Sequence, residues 1–404
     1  MSPPADIVCF SHLRWDFVYQ RPNHLMARAA RRHRVFFVEE PELRGSTSRL
    51  QARRVDSVTV VTPVLPEGTT EQQQVGLLRQ SLEQLLGSEG IDHPWLWYYT
   101  PMALPWSQHV PASAVVYDCM DELSGFKFAP PAIRDYERRL IQAADVIFAG
   151  GRTLHEAKRD QHRHTYLFPS SVDGAHFRQA RSGLPEPADQ AAIGRPRIGY
   201  FGVIDERIDL GLVEHIARSR PDWNVVMVGP VAKIDEADLP RADNLHWLGL
   251  KSYAELPAYL GGWDVAIMPF ALNESTRHIS PTKTPEYLSG GRPVVSTPIR
   301  DVVDPYGSEG LVHIAEHAHD FVAGIEKALR DDRAELLRRA DRFLASLSWE
   351  TTWSQMDRLV TELARRPAAR VAVPVGPLPA GTPAQQARRV PATGASVAAR
   401  SMRR

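Results

Sequence analysis

Short apolar runs alternate with stretches of helical periodicity through most of this 404-residue chain. Strand-like runs fall at residues 6–10, 35–39, 58–65, 95–99, 114–119, 145–149 and 165–168, with helical patterns at 22–34, 71–86, 132–143 and 153–159. Alternation of this kind is satisfied by a parallel sheet with helices on both faces. A segment rich in glycine, proline, alanine and charge, 178–196, interrupts it, and strand-like runs resume at 197–203, 225–229, 245–249, 265–270 and 293–296. The chain is also too long for one ordinary core. The expectation is α/β, with two doubly wound Rossmann-like domains, 1–177 and 197–347, facing a cleft across a linker at 178–196. Ligands of open parallel sheets bind outside the carboxyl ends of the strands, so the residues just after each strand are the candidates for function.

Charge narrows the partners. The formal net charge is zero, but eight arginines and no acid fall from Arg365 onward, leaving 40 basic against 48 acidic residues before it. A folded part with that balance lacks the basic stripe expected of a nucleic-acid binder. Residues 366–404, with six prolines and no core periodicity, read as a disordered basic tail. Cys9 and Cys119 lie in apolar strands and read as buried free thiols, which suits a reducing compartment. No apolar run approaches the ~20 residues of a membrane span. The first strand follows the start at once, leaving no room for a signal peptide, so a cytoplasmic location is expected.

Two stretches of the second half carry chemistry. In "YFGVIDERID", Gly202 ends a strand and Arg207 precedes a helix; glycine lets backbone approach a ligand, and arginine grips phosphate oxygens in pairs. Arg207 equally suits a pairing with Asp205 or Asp209. In "SPTKTPEYLSGGRPVVSTP" a polar loop leads into a short helix. With Ser280 as cap and Pro281 first, or with Thr284 as cap and Pro285 first, Thr282 and Lys283 lie at a helix mouth suited to an anion. Glu286 suits sugar hydroxyls, so the pair divides a ligand into diphosphate and ribose. The alternative is an exposed i,i+3 ion pair of a few tenths of a kcal/mol.

The second half resembles the nucleotide-sugar domain of GT-B-fold glycosyltransferases of the family 4 type, on "PTKTPEYLSGGRPVVSTP". "SHLRWDFVYQRPNHLM", "VFFVEEP", "YDCMDELSGF", "LFPSSVD" and "YFGVIDERID" together resemble a bacterial group of polysaccharide transferases of the teichuronic-acid type, over about residues 6–363. The resemblance implies that Glu286 binds the donor ribose and that Arg207 and Lys283 hold the diphosphate. It also implies a last helix, 348–365, crossing back to the first domain, and no obligatory metal or other cofactor. Eight residues before Glu286 the family pattern has a second glutamate, facing the donor sugar; here it is His278.

On the first-domain side, Arg21 and His24 stand at the mouth of the first helix and are expected to face the cleft. His12 and Trp15 sit on the loop before it and are placed to shape an acceptor pocket. Asp118 and Asp121 end a strand and are candidates to take the acceptor hydroxyl's proton; Asp118 equally suits a turn cap, and His24 a packing role. Arg28, Arg31, Arg32 and Arg34 make the first helix basic, which suits either a solvated face or an anionic membrane. The expected activity is a retaining transfer of sugar from a nucleotide-diphosphate sugar to a glycan or lipid-linked acceptor. The alternatives are a nucleotide-sugar 2-epimerase and a non-catalytic nucleotide-sugar-binding scaffold.

Overall fold

The computed structural model describes residues 4–365; the basic tail lies outside them. Two sheets organise the chain. The first contains β1 (Ile7–Ser11), β2 (Val35–Glu39), β3 (Glu42–Leu43), β4 (Arg49–Val55), β5 (Val58–Leu65), β6 (Trp95–Tyr98), β7 (Ala114–Cys119), β8 (Val146–Ala149) and β9 (Thr165–Leu167). Its order is β3-β5-β2-β1-β6-β7-β8-β9, parallel except for β4, which runs antiparallel along β5. The second contains β10 (Arg197–Phe201), β11 (Asn224–Val228), β12 (Leu245–Gly249), β13 (Val265–Met268), β14 (Val294–Ser296) and β15 (Val312–Ile314). It is wholly parallel in the order β12-β11-β10-β13-β14-β15. In both sheets the strand order reverses beside the first strand, which opens a crevice there.

Continuous burial explains why the central strands read clearly: β1, β2, β6, β8 and β10 are buried at every position, as parallel strands covered on both faces must be. Strand β4, "RLQARRV", escaped the sequence pattern because most of it is exposed, with β5 as its partner. Residues 178–196, expected as a linker, are folded onto the second sheet. Val172, Phe177, Ala180 and Ile193 belong to its core, and Gln190 is buried between the Tyr259 carbonyl and the Trp263 indole. Small residues permit the contact: a β-carbon on Gly261 would stand 3.0 Å from the Ala180 carbonyl oxygen.

The last helix, Trp349–Ala364, starts at Ser348, whose hydroxyl accepts from the Thr351 amide at 3.1 Å. It lies on the first sheet, where Trp349, Trp353, Met356 and Val360 join Leu25, Trp97 and Phe148 in one core. This seat also accounts for the basic face of the helix Arg21–Ala29 and the turn after it. Arg28 and Arg31 pair with Glu350, Arg32 with Asp357, and Arg34 with Asp6. The arginines thus pair with the last helix and the sheet edge, while Arg31, Arg32 and Arg34 stay more than half exposed, as a solvated face requires. Both cysteines are buried and free. Among the described residues, no helix is long and apolar enough to cross a membrane.

Trp349→Ala should cost on the order of 3–5 kcal/mol, the range for removing a buried aromatic. Urea unfolding followed by tryptophan fluorescence would show it, and an unchanged midpoint would mean the helix contributes little to the first domain.

Candidate functional site

A cavity of about 820 Å³ opens at the crevice of the second sheet, against the loop that follows β1. Of the residues singled out from sequence, Gly202, Arg207, Thr282, Lys283, Glu286 and Trp15 line it. Gly202 and Gly229 end β10 and β11 with φ of +145° and +148°, a region L side chains rarely adopt. Space forbids a side chain as well. A β-carbon on Gly229 would lie 1.8 Å from the Gly202 carbonyl oxygen, and one on Gly202 would lie 2.1 Å from Lys283 Cε. The Lys283 side chain thus crosses the strand end on a path that only glycine leaves open.

The helix carrying it runs Lys283–Ser289, with Thr282 as cap, midway between the two caps considered from sequence, Ser280 and Thr284. Pro285 then stands third in the helix, where an N–H would have no intrahelical partner, and its missing donor costs no bond. The helix is pinned to β10 by Tyr287: its hydroxyl accepts from the Phe201 amide at 2.9 Å and donates to the Phe201 carbonyl at 3.3 Å. With a proline in its first turn, this short helix supplies few free amides. Positive charge at the cavity comes from side chains.

Arg207 and Lys283 line the crevice end of the cavity, with Lys233 beside Arg207 over a shared ring, and Arg31 and Lys251 line it elsewhere. Arg207 is held in a bidentate pair by buried Asp205, with contacts of 2.9 Å and 2.6 Å, and lies over the Phe126 ring at 5.4 Å. Lys233 lies over the same ring at 4.7 Å. Lys283 has its ammonium 5.6 Å from the Tyr200 ring centre. Burial pulls the Lys283 ammonium below the usual lysine range, while Glu286, Asp205 and Asp121 oppose that fall and Arg207 adds to it. Burial likewise pushes Glu286 well above the carboxylate range, with Lys283 holding it back. The pair is therefore no solvated i,i+3 bridge. It is a desolvated couple in which each charge is stabilised by the other.

Asp121, half-buried on the loop after β7, is pushed up to about 6 by burial, against the pull of Arg207, Lys233 and Lys283. It is the first-domain carboxylate that feels all three cations. Asp118, three residues earlier, does not share that setting. It is fully buried and bound by Arg21, itself fully buried, at 2.8 Å, and Arg21 also donates to the Phe168 carbonyl at 2.7 Å. Neither faces the cleft: the two form a structural ion pair, which corrects the reading of Arg21 as an acceptor residue and Asp118 as a base. His24 is likewise a packing residue, stacked on Trp349 at 4.7 Å, with burial keeping it well below the usual histidine range. His12 is half-buried, and burial lowers it to about 4 despite a backbone hydrogen bond at Tyr99. Ser280 packs on the start of the helix Arg152–Lys158, where a β-carbon on Gly151 would stand 2.7 Å from Ser280 Cβ. His278 lines a different cavity.

Residues not anticipated complete the site. Lys233 follows β11 as Arg207 follows β10, so the strand-end rule applied once more would have found it. Tyr253, which lines the cavity and lies near Glu286, packs against Tyr19 of the first domain with ring centres 4.6 Å apart and the planes tilted by 31°. Phe126, under both cations, comes from the first domain, and no local signal marks it.

Comparison with known proteins agrees with this geometry. Residues 195–331 match the family model of glycosyl transferases group 1. Over 280 residues, 65% of this chain and 70% of its relative, the sequence is 28% identical to TuaH of Bacillus subtilis (strain 168), provisionally named a teichuronic acid biosynthesis glycosyltransferase. A trehalose-6-phosphate structure from E. coli bound with UDP-2-fluoro glucose superposes with a TM-score of 0.66 at 11% identity, covering 89% of this chain and 99% of that one. Sucrose-phosphate synthase from Thermosynechococcus elongatus does so with 0.65 at 15% identity and the same coverage. Residues 195–331 are thus a domain of the group 1 glycosyl transferases, set in a two-sheet chain of the GT-B glycosyltransferase fold.

Proposed function

We propose that the protein is a retaining glycosyltransferase. It takes a hexose from a nucleotide-diphosphate sugar and passes it to a glycan or lipid-linked acceptor in cell-surface polysaccharide synthesis. The observation that carries this reading is the convergence of Lys283, Arg207 and Glu286 on the glycine-opened end of β10. The similarity to TuaH supports the polysaccharide context, and the family resemblance of the Lys283–Glu286 segment supports the retaining outcome.

In this mechanism the bond between the anomeric carbon and the β-phosphate oxygen breaks, and charge grows on the departing diphosphate. Arg207, fixed by Asp205, and Lys283 stand ready to hold that charge, so the protein's own cations take the part a metal plays elsewhere. Glu286 accepts from the ribose hydroxyls, which offsets the burial of its carboxylate. The acceptor oxygen bonds the anomeric carbon on the face that the diphosphate leaves, which keeps the configuration, and the acceptor hydroxyl's proton passes to Asp121. At about 6 it is ionised at neutral pH yet basic enough to accept a proton.

Three outcomes are expected. Turnover of UDP-, GDP- and ADP-sugars by Lys283→Ala should fall about 10²–10³-fold, the cost of losing one donor to a developing oxyanion; unchanged turnover would remove Lys283 from the mechanism. Gly202→Ala leaves every charge in place but collides with the Lys283 stem. It should abolish the thermal stabilisation given by the preferred nucleotide sugar, and retained stabilisation would show that the lysine path is not needed. The wild-type rate should fall as pH drops through about 6, because protonated Asp121 cannot accept a proton. Asp121→Asn should be slow at every pH and lack that limb; a variant keeping the limb would assign it to another group.

A further inference from the structure

A second cavity, of about 850 Å³, lies between the helix Arg152–Lys158 of the first domain and the loop after β13. Its walls carry two buried polar atoms with no hydrogen-bond partner among the described residues: Oγ1 of Thr153, a residue 5% exposed, and Nδ1 of His278. Leaving such atoms unpaired is costly, and it marks a place where a ligand group completes the bonding. The remaining charges of the wall are already matched. Arg300 pairs with Glu156 at 2.7 Å and Arg277 with Glu274 at 3.5 Å, so the cavity presents no net charge to attract an ionic ligand. Leu272, 53% exposed, together with Pro298 and Ile299, adds an apolar flank. Unpaired donors and acceptors beside an apolar flank, without excess charge, suit a neutral polyhydroxylated ring, which offers hydroxyls at its edge and C–H groups on its face.

Its position gives the ring a role. Asp121 answers to the cations of the donor cavity, while its neighbour Glu122, held by Lys158 at 2.8 Å and Ser124 at 2.7 Å, lies within the field of His278. The turn just after these two residues packs on the wall of the second cavity, where a β-carbon on Gly125 would stand 3.0 Å from the Glu274 carbonyl oxygen. The helix amides beside Thr153 are not part of the site, because Asp301 already accepts from Arg152 and Thr153 at 2.7 Å and 3.1 Å. We propose that this second cavity is a saccharide site that binds a sugar ring of the acceptor, with Thr153 and His278 reading its hydroxyls. The role as acceptor site rests on the glycosyltransferase reading above; the binding of a saccharide does not.

Saturation-transfer NMR on the full-length protein with the methyl glycosides of glucose, galactose and N-acetylglucosamine tests this. Thermal shift with UDP-, GDP- and ADP-sugars is run on the same samples. Ala157 is an exposed residue on the rim, so Ala157→Trp fills the cavity without disturbing a core. At least one glycoside should bind the wild type and fail to bind Ala157→Trp. Thr153→Val should weaken binding about fivefold, the worth of one hydrogen bond. Both variants should keep the nucleotide-sugar shift. Nucleotide-sugar stabilisation with no glycoside binding, or glycoside binding untouched by Ala157→Trp, overturns the saccharide site and leaves the donor reading standing. Glycoside binding lost in Ala157→Trp, without any nucleotide-sugar shift, supports the site and overturns the donor reading instead.

Discussion

The hydroxyl of Tyr287, bonded to both the amide and the carbonyl of Phe201, ties the helix Lys283–Ser289 to the end of β10. The remainder of the cavity at the crevice of the second sheet is geometry around that tie. It sets Lys283 across Gly202 and places Glu286 one turn further along on the same wall. The close approach of two strand ends, possible because Gly202 and Gly229 lack side chains, sets the floor beneath them. A rigid parallel sheet supplies the positions, and a short helix that would be marginal alone borrows its rigidity.

Charge in the cavity is held in a state of partial compensation. Asp205 occupies one edge of Arg207, the Phe126 face takes part of Arg207 and Lys233, and Lys283 and Glu286 lean on each other. Arg207 and Lys283 are partly withdrawn from water, so an anion arriving beside them interacts more strongly than it would in bulk water. Structural ion pairs elsewhere in the chain look different. Arg21 and Asp118, at zero exposure, face each other and a backbone carbonyl with no opening to a cavity, although Asp118 Oδ2 is left without a hydrogen bond.

That contrast explains what was legible in the sequence. Gly202, Arg207, Lys283 and Glu286 could be found because a strand end and a short motif fix where they point, and all four belong to one domain. The central strands of both sheets were legible for a related reason, since buried parallel strands write themselves as unbroken apolar runs, whereas the short or exposed β3, β4 and β15 were not. Position after a strand was not enough for Arg21, His24 and Asp118. The partner of Arg21 stands 97 residues away, and His24 stacks on a tryptophan near the far end of the described chain. Nothing local says whether a side chain at such a corner turns toward the cleft or back under the sheet. The same limit hid Phe126 and Tyr253, which matter because the two domains bring them together. It also hid the carboxylates of the last helix that pair with Arg28, Arg31 and Arg32.

The seat of the last helix has a consequence for how the molecule is made. Domains generally form in the order in which they leave the ribosome. Here the first sheet is synthesised early, but one of its faces is closed by Trp349, Trp353, Met356 and Val360, which emerge only after the whole second sheet. Until then that face, with Leu25, Trp97 and Phe148, lies uncovered. The domain begun first is therefore the one completed last.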